Sequence, residues 1–219
     1  AEALVQEVKS IQIASFGSKS REYANALNNQ GHLYYETGQY FNAETCLLEA
    51  KDIYGEILGK NHPEYARILN NLADVYTQLS LFQEGEACQL EALQIWENAF
   101  GKKDPLYATW LANLAHLYYL NSDYKKSEPL YLKAKSIQEE FTEKNTPDYL
   151  NTINNLAVLY QETGRFAEAE LLLNEVKEAR RQALGESHLQ YGAALLNLGR
   201  LYTAMERFGE AGVFLEKSK

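Results

Sequence analysis

Cysteine is scarce in this chain of 219 residues, which contains only Cys46 and Cys88. These two residues provide neither a disulfide framework nor the CxxC spacing of a zinc site. We therefore expect no disulfide-stabilised secreted fold and no metal or other cofactor. The low cysteine content fits a reducing, cytoplasmic location.

Long apolar runs and basic clusters are also missing. No stretch reaches the roughly 18 uninterrupted apolar residues of a membrane-spanning helix, so we expect no membrane partner. The net charge of −9 opposes attraction to phosphate backbones, so we expect no nucleic-acid partner. Apolar residues make up 46% of the chain and charged residues 23%, which is typical of a folded chain rather than a disordered one.

What the sequence does contain is one unit repeated with a period of 42 residues. Ten of the sixteen tyrosines occupy only two positions of this unit. They are Tyr23, Tyr65, Tyr107, Tyr149 and Tyr191 at the first position, and Tyr34, Tyr76, Tyr118, Tyr160 and Tyr202 at the second. A period of this length is typical of proteins in which each unit packs only against its neighbours.

Each unit is predicted to form two helices. In the second unit, Leu69, Leu72, Ala73 and Tyr76 fall at i, i+3, i+4 and i+7, which is one apolar face of a helix. Small residues at the position of Ala73 allow a second helix to approach closely. The predicted fold is therefore all-α, a right-handed superhelical α-solenoid of stacked antiparallel helix pairs.

Turn residues delimit the units. Gly38 and Gly164 can adopt the left-handed conformation that ends a first helix. Pro63, Pro105 and Pro147 stand where the next first helix begins and a missing N–H costs little. The predicted array comprises the second helix of a truncated repeat (1–21), full repeats at 22–63, 64–105, 106–147 and 148–189, and a truncated last repeat (190–219). Because neither end carries a polar capping helix, we expect a fragment of a longer protein.

The stretch ILNNLADVYTQLSLFQEGEACQLEALQIW (68–96) resembles a tetratricopeptide repeat, with a small residue at Ala73, an aromatic residue at Phe82 and a second small residue at Ala92. The 42-residue form with NNLA…LY resembles the repeats of kinesin light chains. It is equally similar to bacterial arrays fused to CHAT caspase-like peptidase domains or to nucleotide-binding signalling domains. The resemblance covers the whole chain.

The histidines do not form a catalytic cluster. His32 and His116 occupy one repeat position two units apart, and His62 and His188 share another, so they cannot converge on one substrate atom. No HExxH, GxSxG or phosphate-binding glycine motif is present. We therefore expect a protein that is not an enzyme.

The face of the first helices opposite the apolar stripe is the candidate binding surface. An amide side chain carries one acceptor and two donors, so it can bond both the C=O and the N–H of an extended peptide. A recurrent series of amides on this face is Asn29, Asn71, Asn113, Asn155 and Asn197, beside Asn28, Asn70 and Asn154. Selectivity for ligand side chains is assigned to His32, Tyr35, Arg67, Asp74, His116 and Tyr119.

The resemblance implies that this series holds ligand backbone, because asparagines do so at this place in related peptide-binding arrays. The lysine-rich clamp that tetratricopeptide co-chaperones use for a C-terminal carboxylate is missing, since only Arg67 and Arg200 are basic here. A structural alternative stays open. The same asparagines could bond to one another between neighbouring first helices and fix the pitch of the array.

The leading hypothesis is a non-enzymatic binding module whose concave groove holds an extended peptide or a partner's helix. It would act as an adaptor or sensor segment, with other domains of the same longer chain as further partners. The alternative is a structural spacer, an oligomerisation scaffold or an autoinhibitory array of a caspase-like peptidase or signalling protein.

Overall fold

The computed structural model describes residues 7–8, 10–11, 13–15 and 17–218. In this part of the protein the regular structure is helical, and successive helices pack in pairs, which confirms the predicted all-α class. The helices are α1 (Arg21–Glu36), α2 (Tyr40–Ile57), α3 (Pro63–Gln78), α4 (Phe82–Phe100), α5 (Pro105–Leu120), α6 (Tyr124–Phe141), α7 (Pro147–Glu162), α8 (Phe166–Leu184), α9 (Leu189–Ala204) and α10 (Phe208–Lys217).

The protein divides into two compact units. The first runs from Ala1 to Lys102 and contains α1–α4, and the second runs from Lys103 to Lys219 and contains α5–α10. The helix predicted for residues 1–21 lies partly outside the described residues. Those that are described between 7 and 15 are helical.

Side-chain caps fix where the first helices begin. The Ser20 hydroxyl accepts a hydrogen bond from the Tyr23 N–H, and the Asp104 carboxylate accepts one from the Leu106 N–H. His62 does the same through Nδ1, which accepts from the Glu64 N–H at 3.1 Å. His188 caps α9 in the same way. The histidines of this repeat position therefore have a structural role.

Residues in the left-handed backbone conformation follow the first helices, as predicted for the two repeats that contain Gly38 and Gly164. Gly38 has φ of 73° and Gly164 has φ of 76°. The same turn is formed by non-glycine residues elsewhere, with φ near 60° at Ser80, Ser122 and Glu206. A residue with a Cβ is strained in this conformation by about 1 kcal/mol.

This strain gives a direct prediction for Ser122. We expect Ser122→Gly to raise the free energy of unfolding of the second unit by about 1 kcal/mol, because glycine adopts this conformation without a steric penalty. Gly164→Ala at the equivalent turn should lower it by a similar amount. Urea denaturation followed by circular dichroism measures both changes. A change of the same sign in both variants would contradict the strain at Ser122.

Small residues bring the helices of a pair together. A Cβ built on Gly31 would lie 2.8 Å from the Leu47 Cγ, and one on Gly199 would lie 2.6 Å from the Leu215 Cδ2. Glycine is therefore used where a leucine of the second helix crosses the first.

Eight of the ten recurrent tyrosines are buried in the core, and Tyr34 and Tyr76 are half-buried. In the second unit, Tyr149, Leu150 and Ile153 of α7 form a buried cluster with Val176 of α8 and Ala194 of α9. A first helix thus packs on the second helix of its own pair and on the next first helix. Each pair completes its core only when a neighbour covers it.

The cysteines behave as small core residues. Cys46 is buried, and Cys88 is half-buried. Burial raises the pKa of the Cys88 thiol to about 11, which keeps it protonated and unreactive at neutral pH.

Candidate functional site

In the first unit, the candidate amides form a hydrogen-bonded network. The Asn71 Nδ2 donates to the Asn28 Oδ1 at 2.8 Å, which joins α3 to α1. Asn70 is only 6% exposed, and its Oδ1 accepts from the Gln89 Nε2 at 2.9 Å. The Asn70 Nδ2 lies 3.4 Å from the Asn71 Oδ1. Asn70 therefore supports Asn71 from beneath, while Asn29 is exposed.

The second unit repeats the same bond between α9 and α7. The Asn197 Nδ2 donates to the Asn154 Oδ1 at 2.8 Å, and the Asn154 Nδ2 lies 3.3 Å from the Asn155 Oδ1. Asn113 and Asn155 are half-buried. The position that would accept from Asn155 on the preceding first helix is occupied by Ala112.

These bonds join adjacent first helices, which is the arrangement expected if the asparagines have a structural role. They do not use the whole capacity of the side chains. Asn71 donates one of its two amide hydrogens to Asn28 and accepts one bond from Asn70. One donor and one lone pair remain for a further partner. The network also fixes the orientation of each amide before any ligand arrives.

Three of the predicted selectivity residues meet at one cavity of about 200 Å³ in the first unit. His32 and Tyr35 reach it from α1, and Asp74 reaches it from α3. Asn71 and Glu36 complete its polar lining. The sequence placed these residues on the corresponding face of two successive first helices, and the structure adds that they surround a single cavity.

Asp74 has an unusual environment in this cavity. Its carboxylate is largely buried, and burial raises its pKa to about 7. The Asn70 Nδ2 lies 3.5 Å from the Asp74 Oδ2. Of the residues that the structure describes, no basic side chain pairs with this carboxylate. The cavity therefore contains an acceptor that burial destabilises when it is charged.

Tyr35 forms the aromatic wall of the cavity, and the Asp74 carboxylate affects the pKa of its hydroxyl. Burial raises the pKa of the Tyr35 hydroxyl, and the charge of Asp74 raises it further. The Gln78 Nε2 approaches this hydroxyl at 3.4 Å. The Tyr35 ring packs against Tyr40 with 5.8 Å between centroids. His32 is exposed, and its Nε2 lies 3.9 Å from the Glu36 Oε1 at the rim.

The remaining selectivity residues do not line this cavity. The Arg67 guanidinium lies over the Trp96 ring, 5.1 Å from its centroid, in a cation–π contact. In the second unit, His116 stacks on Tyr119 with 6.0 Å between centroids and 14° between planes. Burial lowers the pKa of His116, so this imidazole is neutral at physiological pH.

A pair of positions that sequence reasoning missed links each first helix to its own second helix. The Tyr54 hydroxyl donates to the Asn25 Oδ1 at 2.5 Å, and the Arg180 Nη2 donates to the Asn151 Oδ1 at 3.0 Å. The same pair in the second repeat is Arg67 with Trp96. These positions vary between repeats, so periodicity does not reveal them. A comparison, repeat by repeat, of residues that are 29 positions apart would have found these pairs.

Two other kinds of site are absent from the residues that the structure describes. None of their helices is long and apolar enough to cross a membrane. Across the same residues, no group of three or more His, Cys, Asp or Glu side chains is placed to hold a metal ion.

Known proteins resemble this one over most of its length. A family profile described as tetratricopeptide repeat matches residues 22–84, 66–140, 111–182 and 148–218. No curated protein sequence matches. Similar solved structures include one described as a putative kinesin light chain of Podosopora anserina with nearly identical TPR-like repeats. It is 24% identical and has a TM-score of 0.72, and the match covers 89% of the present protein and 92% of that one.

Two further structures share the arrangement of helices. BtubC (BKLC) from P. vanneervenii is 19% identical, with a TM-score of 0.77 and coverage of 98% of the present protein and 85% of that one. A Rap protein complexed with Competence and Sporulation Factor is 16% identical, with a TM-score of 0.70, and the match covers 90% of the present protein and 62% of that one. At these identities the likeness establishes the fold.

Proposed function

Because the protein belongs to the tetratricopeptide repeat family, whose repeats generally mediate protein–protein interactions, we propose that it is a non-enzymatic peptide-binding module. The surface formed by the recurrent asparagines of the first helices, here called the amide face, holds an extended peptide or a partner's helix. The module serves as the adaptor or sensor segment of a larger cytoplasmic protein, and other domains of that protein are further partners.

The cavity at Asp74 is the observation that supports this function most strongly. A largely buried carboxylate without a basic partner lowers stability when it is charged. Such a group is typical of a binding site, where a ligand supplies the missing partner. The cavity of about 200 Å³ is large enough for one basic side chain, with Tyr35 as its aromatic wall. We therefore propose that the bound peptide places a lysine or arginine side chain here.

The amides of the network supply the contacts to the peptide backbone. Asn71 lines the same cavity as Asp74 and retains one donor and one acceptor. Its bond to Asn28 holds the amide in place, so binding loses little side-chain entropy. One structural neighbour, the Rap protein, is complexed with Competence and Sporulation Factor. This is consistent with ligand binding by arrays of this fold.

A second candidate function is a structural spacer or regulatory array of a caspase-like peptidase or signalling protein. The bonds from Asn71 to Asn28 and from Asn197 to Asn154 favour it, since they stiffen the array without a ligand. Under this function the amide face would be covered by another segment of the same protein or left without a peptide.

Selection from a random-peptide library displayed on phage distinguishes the two functions. We expect the selected peptides to share a lysine or arginine. We also expect Asp74→Asn to weaken their affinity at least about tenfold, as the loss of one charge-assisted hydrogen bond implies. Fluorescence anisotropy with a labelled peptide measures the change, and Asp52→Asn on the exposed face of α2 is the matched control. Selected peptides without a basic residue, or equal affinity for both variants, would exclude the cavity as the binding site.

A further inference from the structure

Arg180 of α8 is buried in the second unit without a carboxylate partner. It is only 6% exposed. Its Nη1 donates to the Gln190 carbonyl at 3.1 Å, and its Nη2 donates to the Asn151 Oδ1 at 3.0 Å. Its Nε is buried and has no hydrogen-bond partner among the described residues. Both acceptors are neutral, so the structure provides hydrogen bonds to this cation but no opposite charge.

Glu178, near Arg180 in the sequence, and Asp148, near its partner Asn151, are both engaged elsewhere. Glu178 pairs with Arg181 at 2.9 Å and with Lys177 at 3.2 Å. Asp148, in the first turn of α7, accepts a hydrogen bond from the Thr109 hydroxyl at 3.0 Å. A buried cation that has no counter-ion is unfavourable, and burial lowers the pKa of Arg180.

The repeat fold does not require a charge at this place. The equivalent positions of the earlier repeats contain Tyr54, Trp96 and Gln138, which are uncharged. All three are buried, so each fits the same packing environment. The guanidinium of Arg180 is therefore a specific property of the fourth repeat, and it calls for an explanation other than packing.

Arg180 also determines how its neighbour Asn151 is oriented. A guanidinium can only donate hydrogen bonds, so Asn151 presents its amide oxygen to it. The NH₂ group of Asn151 then remains as a donor on the exposed side of α7. Two of the five N–H bonds of Arg180 are used. The free N–H groups of the pair outnumber the one lone pair left on the Asn151 oxygen, which suits a ligand group that accepts hydrogen bonds.

A cavity of about 210 Å³ adjoins this pair. Leu150 and Pro147 of α7 and Leu184 of α8 form its apolar walls. Its polar lining consists of Asn145, Asn151, Arg180 and Gln190. Asn151, on one side of this cavity, lies one helical turn before Asn155 of the amide face. An acidic group that carries a short apolar stem fits such a space.

We propose that this cavity binds a carboxylate of the peptide ligand, from an Asp or Glu residue or from the peptide's own C-terminus, on Arg180 and Asn151. This deepens the proposed function, on which it rests, by assigning an acidic anchor in the second unit. It differs from a clamp built on the first helices, because the cation comes from a second helix. A paired guanidinium and amide bind a carboxylate through charge-assisted hydrogen bonds.

The test uses small carboxylates and the NMR signals of ¹⁵N-labelled protein. N-acetyl-glutamate N-methylamide presents a side-chain carboxylate, N-acetyl-leucine presents a C-terminal one, and N-acetyl-glutamine N-methylamide is the neutral control. We expect at least one carboxylate to shift the Arg180 Nε–H signal and the Asn151 NH₂ signals saturably, and the neutral compound to leave them unchanged. The two carboxylates distinguish an acidic residue from a C-terminus as the natural ligand group.

Variants of Arg180 and Asn151 test whether these two residues bind the carboxylate. Arg180→Gln, with the residue found at position 138, should weaken carboxylate binding at least about tenfold. Asn151→Asp should also abolish binding while keeping the fold, because its own carboxylate would pair with Arg180. Arg181→Gln, at an exposed ion pair next in the sequence, should bind as the unmodified protein does.

Three results would overturn the site: no saturable shift with either carboxylate, undiminished binding by Asn151→Asp, or a response to inorganic phosphate alone. The NMR titration with small carboxylates uses no peptide that binds the amide face. A failure here therefore leaves the Asp74 test unaffected, and a failure of peptide selection leaves carboxylate binding at Arg180 measurable.

Discussion

Replacing Asp74 with asparagine is expected to raise the free energy of unfolding by about 2–4 kcal/mol near pH 8 and to change it little near pH 4. In the unfolded protein an aspartate titrates at about 3.9. In the folded protein, burial raises the pKa of Asp74 to about 7. The folded state therefore binds this proton more tightly than the unfolded state does.

The direction of the pH dependence follows from that difference. The stability contributed by the protonated carboxyl is present below about pH 4 and is lost as the pH rises to about 7. Asparagine is neutral throughout, so Asp74→Asn avoids the loss. Urea denaturation at several pH values measures the difference between the variant and the unmodified protein. Comparing the two at each pH removes the contributions of other titrating groups.

The control for this prediction is Asp52→Asn, because Asp52 is exposed and its neutralisation should change stability by less than about 0.5 kcal/mol at either pH. A variant that is more stable but binds its peptide less tightly would show that Asp74 is retained for binding rather than for folding. An Asp74→Asn variant of unchanged stability at pH 8 would show that the carboxylate is not destabilised by burial.

Leu173→Ala is expected to lower the free energy of unfolding by about 3 kcal/mol. Leu173 of α8 is 0% exposed, and the truncation leaves a cavity between α8 and the first helix α7. Leu171, two residues earlier in the same helix, is 73% exposed, and Leu171→Ala should cost less than about 0.5 kcal/mol. The two variants have the same composition and share the same helix.

Urea denaturation followed by circular dichroism compares this pair. In repeat proteins each repeat contacts only its neighbours. The loss of stability should therefore appear mainly in the unfolding transition of the second compact unit, residues 103–219. Similar stability of the two variants would contradict the assignment of the α8 face that packs on α7.

The fold followed from the sequence because one unit recurs at a constant period. Tyrosines at fixed positions, such as Tyr23 and Tyr149, established the period, and both are fully buried in the structure. The repeat period also predicted that His32 and Asp74 occupy equivalent positions on two successive first helices. Their meeting at a cavity depends on the separation of neighbouring helices, which periodicity does not determine.

Asn70 and Arg180 show what the sequence left hidden. Asn70 was expected on the amide face, but it lies inward because Gln89 occupies a position where other repeats have Leu47 or Leu173. A polar residue at that core position was the available signal. The periodic counterparts of Arg180 carry no charge, and its burial is visible only once α7, α8 and α9 are packed together.

The most direct test of the central claim is an NMR titration of the ¹⁵N-labelled protein with a peptide selected from the phage library. The predicted result is a saturable set of shifts at Tyr35, Asn71 and Asp74, with smaller effects on the exposed side of α2. Shifts confined to the second helices would contradict the claim that the amide face holds the peptide.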